Sequence, residues 1–276
     1  GGLLLRWRLR RSTGGGGGAF GSRGPALMAI AGFAVRSQPA DLEAAAEFHA
    51  AVAEKLDAGE WEAMVADLAA KSARVQGAFA RLTAGDAGAR NELLGETFAT
   101  RRRLRDISAT VPESELAAAL AGLADVSVNP GLRAAAFADA LAGAGQGLGD
   151  LAWELMHFLE PESVWLASAW VWNPETETGA LKLLLEEEYD LFGTDASDSY
   201  GRLSFASGYV AHAARAAGML GEGPLVFELD VFLAGVYGVY MGTVLAMRMT
   251  KEFNKILPPL GQLMRKLLGL RNPERS

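Results

Sequence analysis

Residues 61–82, WEAMVADLAAKSARVQGAFARL, carry the pattern that decides the fold class of this chain. Apolar residues recur there at steps of three and four, which places them on one face of an α-helix. The residues of this face are Trp61, Met64, Val65, Leu68, Ser72, Val75, Phe79 and Leu82. Gly85 and Asp86 follow and interrupt the pattern. The stretch therefore predicts a long amphipathic helix that buries one face in a core.

Helical patterns continue on both sides of this stretch. In residues 42–56 His49 lies on the predicted apolar face and Phe48 to one side of it, and such a histidine is more often a core-edge residue than a ligand. Asn129 followed by Pro130 predicts an N-cap and a first helical position. Further helices are predicted near residues 94–107, from 112, from 150 with Asp150 as its cap, and over 200–220, 225–253 and 260–268. Because Ala and Leu dominate and favour helix, we predict an all-α, multi-helix bundle-like domain with a long buried C-terminal helix.

Two segments interrupt the helical pattern. Residues 1–38 are predicted to form a disordered or non-native N-terminal arm, and residues 39–276 the helical domain. The first 27 residues carry five arginines, no acid and a run of glycines from Gly14 to Gly18. The alternative is a basic, flexible arm for an acidic partner. Residues 173–199 are the best candidate for a boundary or a long functional loop, and residues 181–185 could form a brief strand.

Charge and cysteine content exclude several classes of protein. The 276 residues carry a net charge of −7, and since the five N-terminal arginines contribute +5, residues 28–276 carry −12. An acidic body repels phosphate backbones, so no nucleic-acid partner is expected. The arginines at positions 101–103 and 105 fan around a helix and do not alter this expectation. The chain has no cysteine, which excludes disulfides, thiolate nucleophiles and thiolate metal sites.

Several catalytic or metal-binding templates are incomplete. Glu154 and His157 form a Glu-x-x-His step, but di-iron bundles need two such pairs and two further glutamates. His49 and His212 have no glutamate three residues before them, so a structural role for His157 is preferred. Residues 186–198 concentrate acids without the spacing of an EF-hand loop. The glycines of residues 143–149 fail the G-x-G-x-x-G pattern. We therefore predict no catalytic residue, no metal site and no cofactor.

The tryptophans between residues 165 and 172 are the strongest candidate for a partner-binding site. Trp165, Trp170 and Trp172 lie within eight residues, and Asn173 and Pro174 follow. Tryptophan is enriched in interface hot spots, so we predict that Trp165, Trp170, Trp172 and Asn173 contact a protein partner. The competing interpretation is that at least two of the three indoles fill the core.

Residues 231–247 form a run of 17 residues without a charge. Its length falls between that of a buried helix and that of a membrane span. Ala234, Gly238 and Gly242 recur at every fourth position and predict close helix packing, in a protein core or in lipid. A span would require either export of the large N-terminal body or translocation of the basic tail. A buried central helix is therefore the preferred interpretation.

These observations favour a non-enzymatic helical protein that binds another protein, in the cytoplasm or peripheral to the membrane. The first alternative is a membrane-associated accessory protein, anchored through residues 231–247 and the basic C-terminal tail. The second is a metal-dependent enzyme of unknown reaction that uses Glu154, His157 and the acidic residues 186–198.

Overall fold

The computed structural model describes residues 38–97, 111–142, 148–248 and 258–271. The predicted N-terminal arm up to residue 37, the arginines near residue 101, the glycines at 143–147 and the start of the basic tail lie outside the described residues. From Pro39 onward the described residues belong to one compact unit. Residues 173–199, predicted as a boundary or loop, fall inside this unit.

Nine α-helices make up the described part of the chain, and the predicted all-α bundle is confirmed. They are α1 (Leu42–Ala53), α2 (Ala58–Thr83), α3 (Ala89–Glu96), α4 (Glu113–Leu123), α5 (Pro130–Ala140), α6 (Leu148–Leu159), α7 (Ala196–Ala216), α8 (Leu225–Arg248) and α9 (Leu260–Leu267). The described residues hold no strand, only isolated bridges that pair Ala40 with Leu185 and Asn173 with Thr178.

Side-chain caps fix the starts of several helices. Asp57 and Glu60 form a capping box at α2, in which each side chain accepts from the backbone N–H of the other. The Asn129 carboxamide accepts from the backbone N–H of Gly131 at 2.8 Å, and Pro130 is the first residue of α5. The predicted start of α5 is therefore confirmed.

The structure corrects one local prediction and decides two others. Asp150 does not cap α6, because the helix begins at Leu148 and the Asp150 carboxylate instead accepts from the Ala169 N–H at 2.8 Å. Residues Leu181–Leu184, for which a brief strand was one possibility, form a 3₁₀ helix, and the buried Leu181 and Leu184 have its three-residue spacing. On α1 the buried face includes Phe48, and His49 is half-buried, which agrees with the expected core-edge residue.

The core is built around α6 and α8. Helix α8 packs against α1, α2, α7 and α9, and helix α6 packs against α2, α4 and α5. Every residue from Val226 to Val236 is buried, so the predicted long buried C-terminal helix is confirmed. Removing this much apolar surface from water is the main force that holds such a bundle together.

Candidate functional site

The segment that carries the tryptophans has no regular secondary structure, but backbone hydrogen bonds hold it in place. The N–H of Ala180 donates to the Trp170 carbonyl at 2.9 Å, and the N–H of Leu181 donates to the Val171 carbonyl at 3.0 Å. Asn173 and Thr178 exchange two further bonds, at 2.7 and 3.3 Å, and close an exposed loop over residues 174–178. The ordered backbone fixes where the neighbouring Trp170 side chain is presented.

Gly179 closes this loop because only glycine fits its position. Its φ of +146° lies in a region that other residues rarely adopt, and a Cβ there would lie 2.3 Å from the Val171 carbonyl oxygen. The Asn173 carboxamide oxygen accepts from the Glu175 N–H at 2.9 Å, so this predicted partner-binding side chain has a structural bond within the turn.

The three predicted indoles lie in different surroundings. Trp172 is buried and meets Phe192 edge-to-face, with ring centroids 5.6 Å apart. Trp165 is half-buried and lies over α7, where a Cβ added at Gly208 would be 3.7 Å from its ring. Trp170 is half-buried as well and packs on α8. The sequence cluster therefore divides into one core residue and two residues with surface exposure.

Trp170 belongs to a row of three aromatic rings. Its ring centroid lies 6.3 Å from that of Tyr237, which in turn lies 6.4 Å from that of Tyr240. All three side chains are half-buried. Burial raises the pKa of the Tyr237 phenol, and the neighbouring Tyr240 phenol adds to the shift. We name Trp170, Tyr237 and Tyr240 the aromatic ladder.

The tryptophan cluster in the sequence indicates Trp170 but not the two tyrosines. Tyr237 and Tyr240 are three positions apart inside the apolar run, which is the spacing that places side chains on one helix face. The sequence therefore indicates that the two tyrosines share one face of the helix. Their contact with Trp170, in contrast, depends on how α8 meets residues 164–180, which no local pattern encodes.

A second group of polar side chains lies inside the protein, between α6 and α8. His157 Nε2 lies 2.8 Å from Asp230 Oδ2, and His157 Nδ1 lies 2.9 Å from the Val164 carbonyl oxygen. The carbonyl oxygen can only accept, so Nδ1 carries a hydrogen, and one proton is shared between Nε2 and the carboxyl group. The side chains are 0% and 2% exposed. Neither the imidazole nor the carboxyl group is therefore accessible to a dissolved molecule in this conformation.

Lys71 extends this group from α2. Its Nζ lies 3.5 Å from Glu154 Oε1, donates to the Leu268 carbonyl at 3.1 Å and sits 4.2 Å from the centroid of the Phe158 ring. The Lys71 side chain is 1% exposed. Lys71 was not among the predicted site residues, although its position three residues after Leu68 and four before Val75 puts it on the predicted buried face of α2.

Glu228 links α8 to the other end of α2. The Trp61 indole N–H donates to Glu228 Oε2 at 2.6 Å, and the backbone N–H groups of Gly221 and Gly223 each donate to the carboxylate at 3.1 Å. A buried carboxylate that accepts three hydrogen bonds is well satisfied. We name Lys71, Glu154, His157, Asp230 and Glu228 the buried polar network.

The arrangement offers no evident metal centre. Among the residues that the structure describes, no group of three or more His, Asp or Glu side chains is placed to hold a metal ion. In the acidic segment, the Asp195 carboxylate accepts from the Asp198 N–H at the start of α7, and the Asp198 carboxylate accepts from the Thr194 N–H and from Arg202. These acids therefore act as helix caps and ion-pair partners.

The three small residues predicted to pack on α8 lie in three different surroundings. Ala234 is fully buried. A Cβ at Gly238 would lie 2.6 Å from Leu260 Cδ1 of α9, whereas a Cβ at Gly242 would meet no heavy atom within 4 Å. Gly235, outside the predicted series, faces Val52 of α1, and a Cβ there would lie 2.8 Å from that side chain.

Comparison with known proteins yields no relative: the sequence matches no protein-family model, and no curated protein or solved structure matches the chain. The fold and the site define the class of this protein. It is an all-α bundle whose helices are joined by a buried polar network, and its surface carries a half-exposed aromatic ladder.

Proposed function

We propose that this chain is a non-enzymatic helical protein that binds another protein through the aromatic ladder. The observation that carries the proposal is the contact of three half-exposed aromatic rings, Trp170, Tyr237 and Tyr240, on one surface. Tryptophan and tyrosine are the residues most enriched in protein–protein hot spots. Each ring offers a large apolar area at a low entropic cost, because it has only two side-chain torsions.

The ladder is held in place before any partner arrives. Two backbone hydrogen bonds, from Ala180 and Leu181, fix the carbonyl groups of Trp170 and Val171 and so hold the chain at the Trp170 side chain. The tyrosines project from a helix whose preceding three turns are entirely buried. A preorganised surface loses less entropy on binding than a mobile one, so more of the contact energy appears as affinity.

The polar loop over residues 174–178 adds a second element beside the ladder. Glu175 and Glu177 are exposed in this loop. The loop also helps to position Trp170, the nearby aromatic residue of the ladder. An apolar centre with a polar, charged rim is the usual anatomy of a protein interface. The two glutamates favour a partner surface that presents Lys or Arg around an apolar patch.

Site-specific photo-cross-linking tests the proposal. A benzophenone amino acid replaces Tyr240 in the full chain, and the same amino acid at Phe205 provides the matched control, because Phe205 is an exposed aromatic residue outside the ladder. We expect a protease-sensitive adduct from position 240 in the source cells and none from position 205. Trp170→Ala should lower the yield from position 240 at unchanged helical circular dichroism.

Two outcomes would contradict the proposal. Equal adduct yields from positions 240 and 205 would show that the ladder has no preference over any exposed aromatic residue. An adduct that resists protease and dissolves in organic solvent would identify lipid as the contact.

The second candidate function is that of a membrane-associated accessory protein. Among the described residues, one stretch, Leu225–Val244, is long and apolar enough to cross a membrane, and 72% of its apolar window is buried within the protein. Tyrosine and tryptophan also favour the membrane–water boundary. The lipid adduct described above is the result that would favour this candidate.

A further inference from the structure

Helices α4 and α5 form a surface groove, and the residues that line it lie between positions 115 and 140. Its volume is about 480 Å³, within the range of pockets that bind ligands. The floor consists largely of small residues of both helices together with Phe137. The lining includes Ala118, Ala119, Gly122, Ala136 and Ala140.

Large apolar side chains stand exposed along one edge of this groove. Leu132 is 47% exposed and Val128 is 37% exposed, and both line the groove. Val126, in the turn between the two helices, is 73% exposed. Six large apolar side chains are exposed among the described residues, and three of these six lie in this turn and at the start of α5. Contiguous exposed apolar surface marks a site of interaction more often than scattered single residues do.

The exposed charges at the groove are negative, although the buried guanidinium of Arg133 also lines it. Glu115 and Asp125 line it and are exposed. The Ser127 hydroxyl and backbone N–H bond to the Asp125 carboxylate and lower its pKa, so this rim charge persists at mildly acidic pH. The sole cation between residues 111 and 142 is Arg133, which is buried and forms two hydrogen bonds with Glu160. The exposed rim is therefore anionic.

The small residues of the floor permit the backbone of another helix to approach closely. A close approach of this kind occurs within the chain itself, where α9 meets Gly238 of α8. A Cβ at Gly238 would lie 2.6 Å from Leu260. An amphipathic helix can place side chains at positions i, i+3, i+4 and i+7 in such a groove. Basic residues beside its apolar face would then meet Glu115 and Asp125.

We infer that the α4–α5 groove is a docking site for a cationic amphipathic helix of a partner protein. The apolar face of that helix covers Val128 and Leu132, and its Lys or Arg side chains pair with the anionic rim. This site is separate from the aromatic ladder, which is built from residues 164–180 and α8. Its test is therefore independent of the proposed function.

A synthetic helical peptide of leucine and lysine, fluorescently labelled, serves as the probe for the full-length chain. The leucines occupy one face, and a second peptide with glutamate in place of every lysine tests the charge requirement. We expect the lysine peptide to bind and the glutamate peptide to bind at least about tenfold more weakly, because the rim repels it. Leu132→Gln should weaken the binding of the lysine peptide about fivefold to tenfold, since a half-exposed leucine loses its apolar cover.

Matched variants separate the groove from a general attraction between an acidic protein and a basic peptide. Glu115→Lys should weaken binding about threefold at low salt, and Glu175→Lys, an equal charge change elsewhere, should not. Leu42→Gln removes another exposed leucine, 38% exposed, from α1 and should leave binding unchanged, as should Trp170→Ala in the ladder.

Two results would overturn the inference. Equal peptide affinities for Leu132→Gln and Leu42→Gln would show that the groove does not hold the probe. A concentration-dependent dimer in sedimentation equilibrium that Leu132→Gln dissociates would assign the groove to a second copy of the chain.

Discussion

Two of the buried polar residues, Lys71 and His157, are stable in the core because each has several partners. Lys71 reaches a carboxylate, a backbone carbonyl and an aromatic ring, and His157 uses both ring nitrogens. Burying a charged or polar group without such partners would cost several kcal/mol. The partners come from residues far apart in sequence, such as His157 and Asp230, so a local pattern can identify the unusual residue but not its role.

The first prediction concerns the pair formed by His157 and Asp230. Asp230→Ala should lower the free energy of unfolding by about 3–5 kcal/mol, because it leaves the buried Nε2 of His157 without its partner. Urea unfolding measures this loss. The control is Asp67→Ala, which breaks an exposed ion pair with Arg265 and should cost at most about 1 kcal/mol. Combining His157→Leu with Asp230→Leu should cost less than the sum of the single changes; strict additivity would contradict the coupling.

A second prediction follows from Tyr200, whose buried phenol oxygen accepts a hydrogen bond from the backbone N–H of Trp165 at 3.0 Å. Burial raises the pKa of Tyr200 from 10.0 to about 12. The folded state therefore keeps this proton at pH values where the unfolded state loses it. The stabilising contribution is complete below pH 10 and declines as the pH rises toward about 12.

Tyr200→Phe tests this pH dependence. The variant should lose part of the decline in urea midpoint above pH 10, and the tyrosinate absorbance of the folded protein should lose one late-titrating group. Tyr209→Phe, on the same helix, is the comparison. Identical alkaline profiles for the wild type and Tyr200→Phe would contradict the assignment.

At the scale of elements, helix packing in this chain depends on where glycine replaces a side chain. Gly235 and Gly238 lie on α8 where α1 and α9 approach most closely, and Gly242, one turn further on, has no neighbour within 4 Å. The repeated small residues were visible in the sequence. Which of them touches a partner helix was not, because that depends on where α9 returns to α8.

Two alanine substitutions on α8 should therefore have different effects. Gly242→Ala should raise the free energy of unfolding by about 0.5–1 kcal/mol, because alanine favours helix and meets no obstacle. Gly238→Ala should gain less or lose stability, because its Cβ must displace the Leu260 side chain. Thermal and urea unfolding of both variants measures the difference, and equal stabilisation would contradict the packing described at Gly238.

The sequence predicted the helices better than the connections. Residues 61–82 and Asn129–Pro130 were located correctly, because amphipathic periodicity and N-capping are local properties. Residues 181–185 could not be classified, because a short apolar run fits a strand and a 3₁₀ helix equally well until its neighbours are known. For the candidate site, Trp170 was identified from composition, whereas Tyr237 and Tyr240 join it only through tertiary contact.

At the scale of the whole molecule, α2, α6 and α8 are held to one another by polar bonds as well as by apolar packing. Glu228 and Asp230 are the acids of α8 that make these bonds, with Trp61 of α2 and His157 of α6. The same two acids lie inside the stretch Leu225–Val244 that is long enough to cross a membrane. The polar network therefore constrains where α8 can reside.

Crossing a bilayer with this stretch would separate both acids from their partners. Asp230 would lose the imidazole of His157, and Glu228 would lose the Trp61 indole and two backbone donors, while both carboxyl groups moved to the depth of the lipid. We therefore expect high-speed centrifugation of cell lysate without detergent to leave the chain in the supernatant. A chain that stays with the membrane pellet after alkaline and high-salt washing, and leaves it only in detergent, would contradict this expectation. If Asp230→Ala shifts the chain toward the pellet, the link between α6 and α8 is what keeps the apolar helix within the protein.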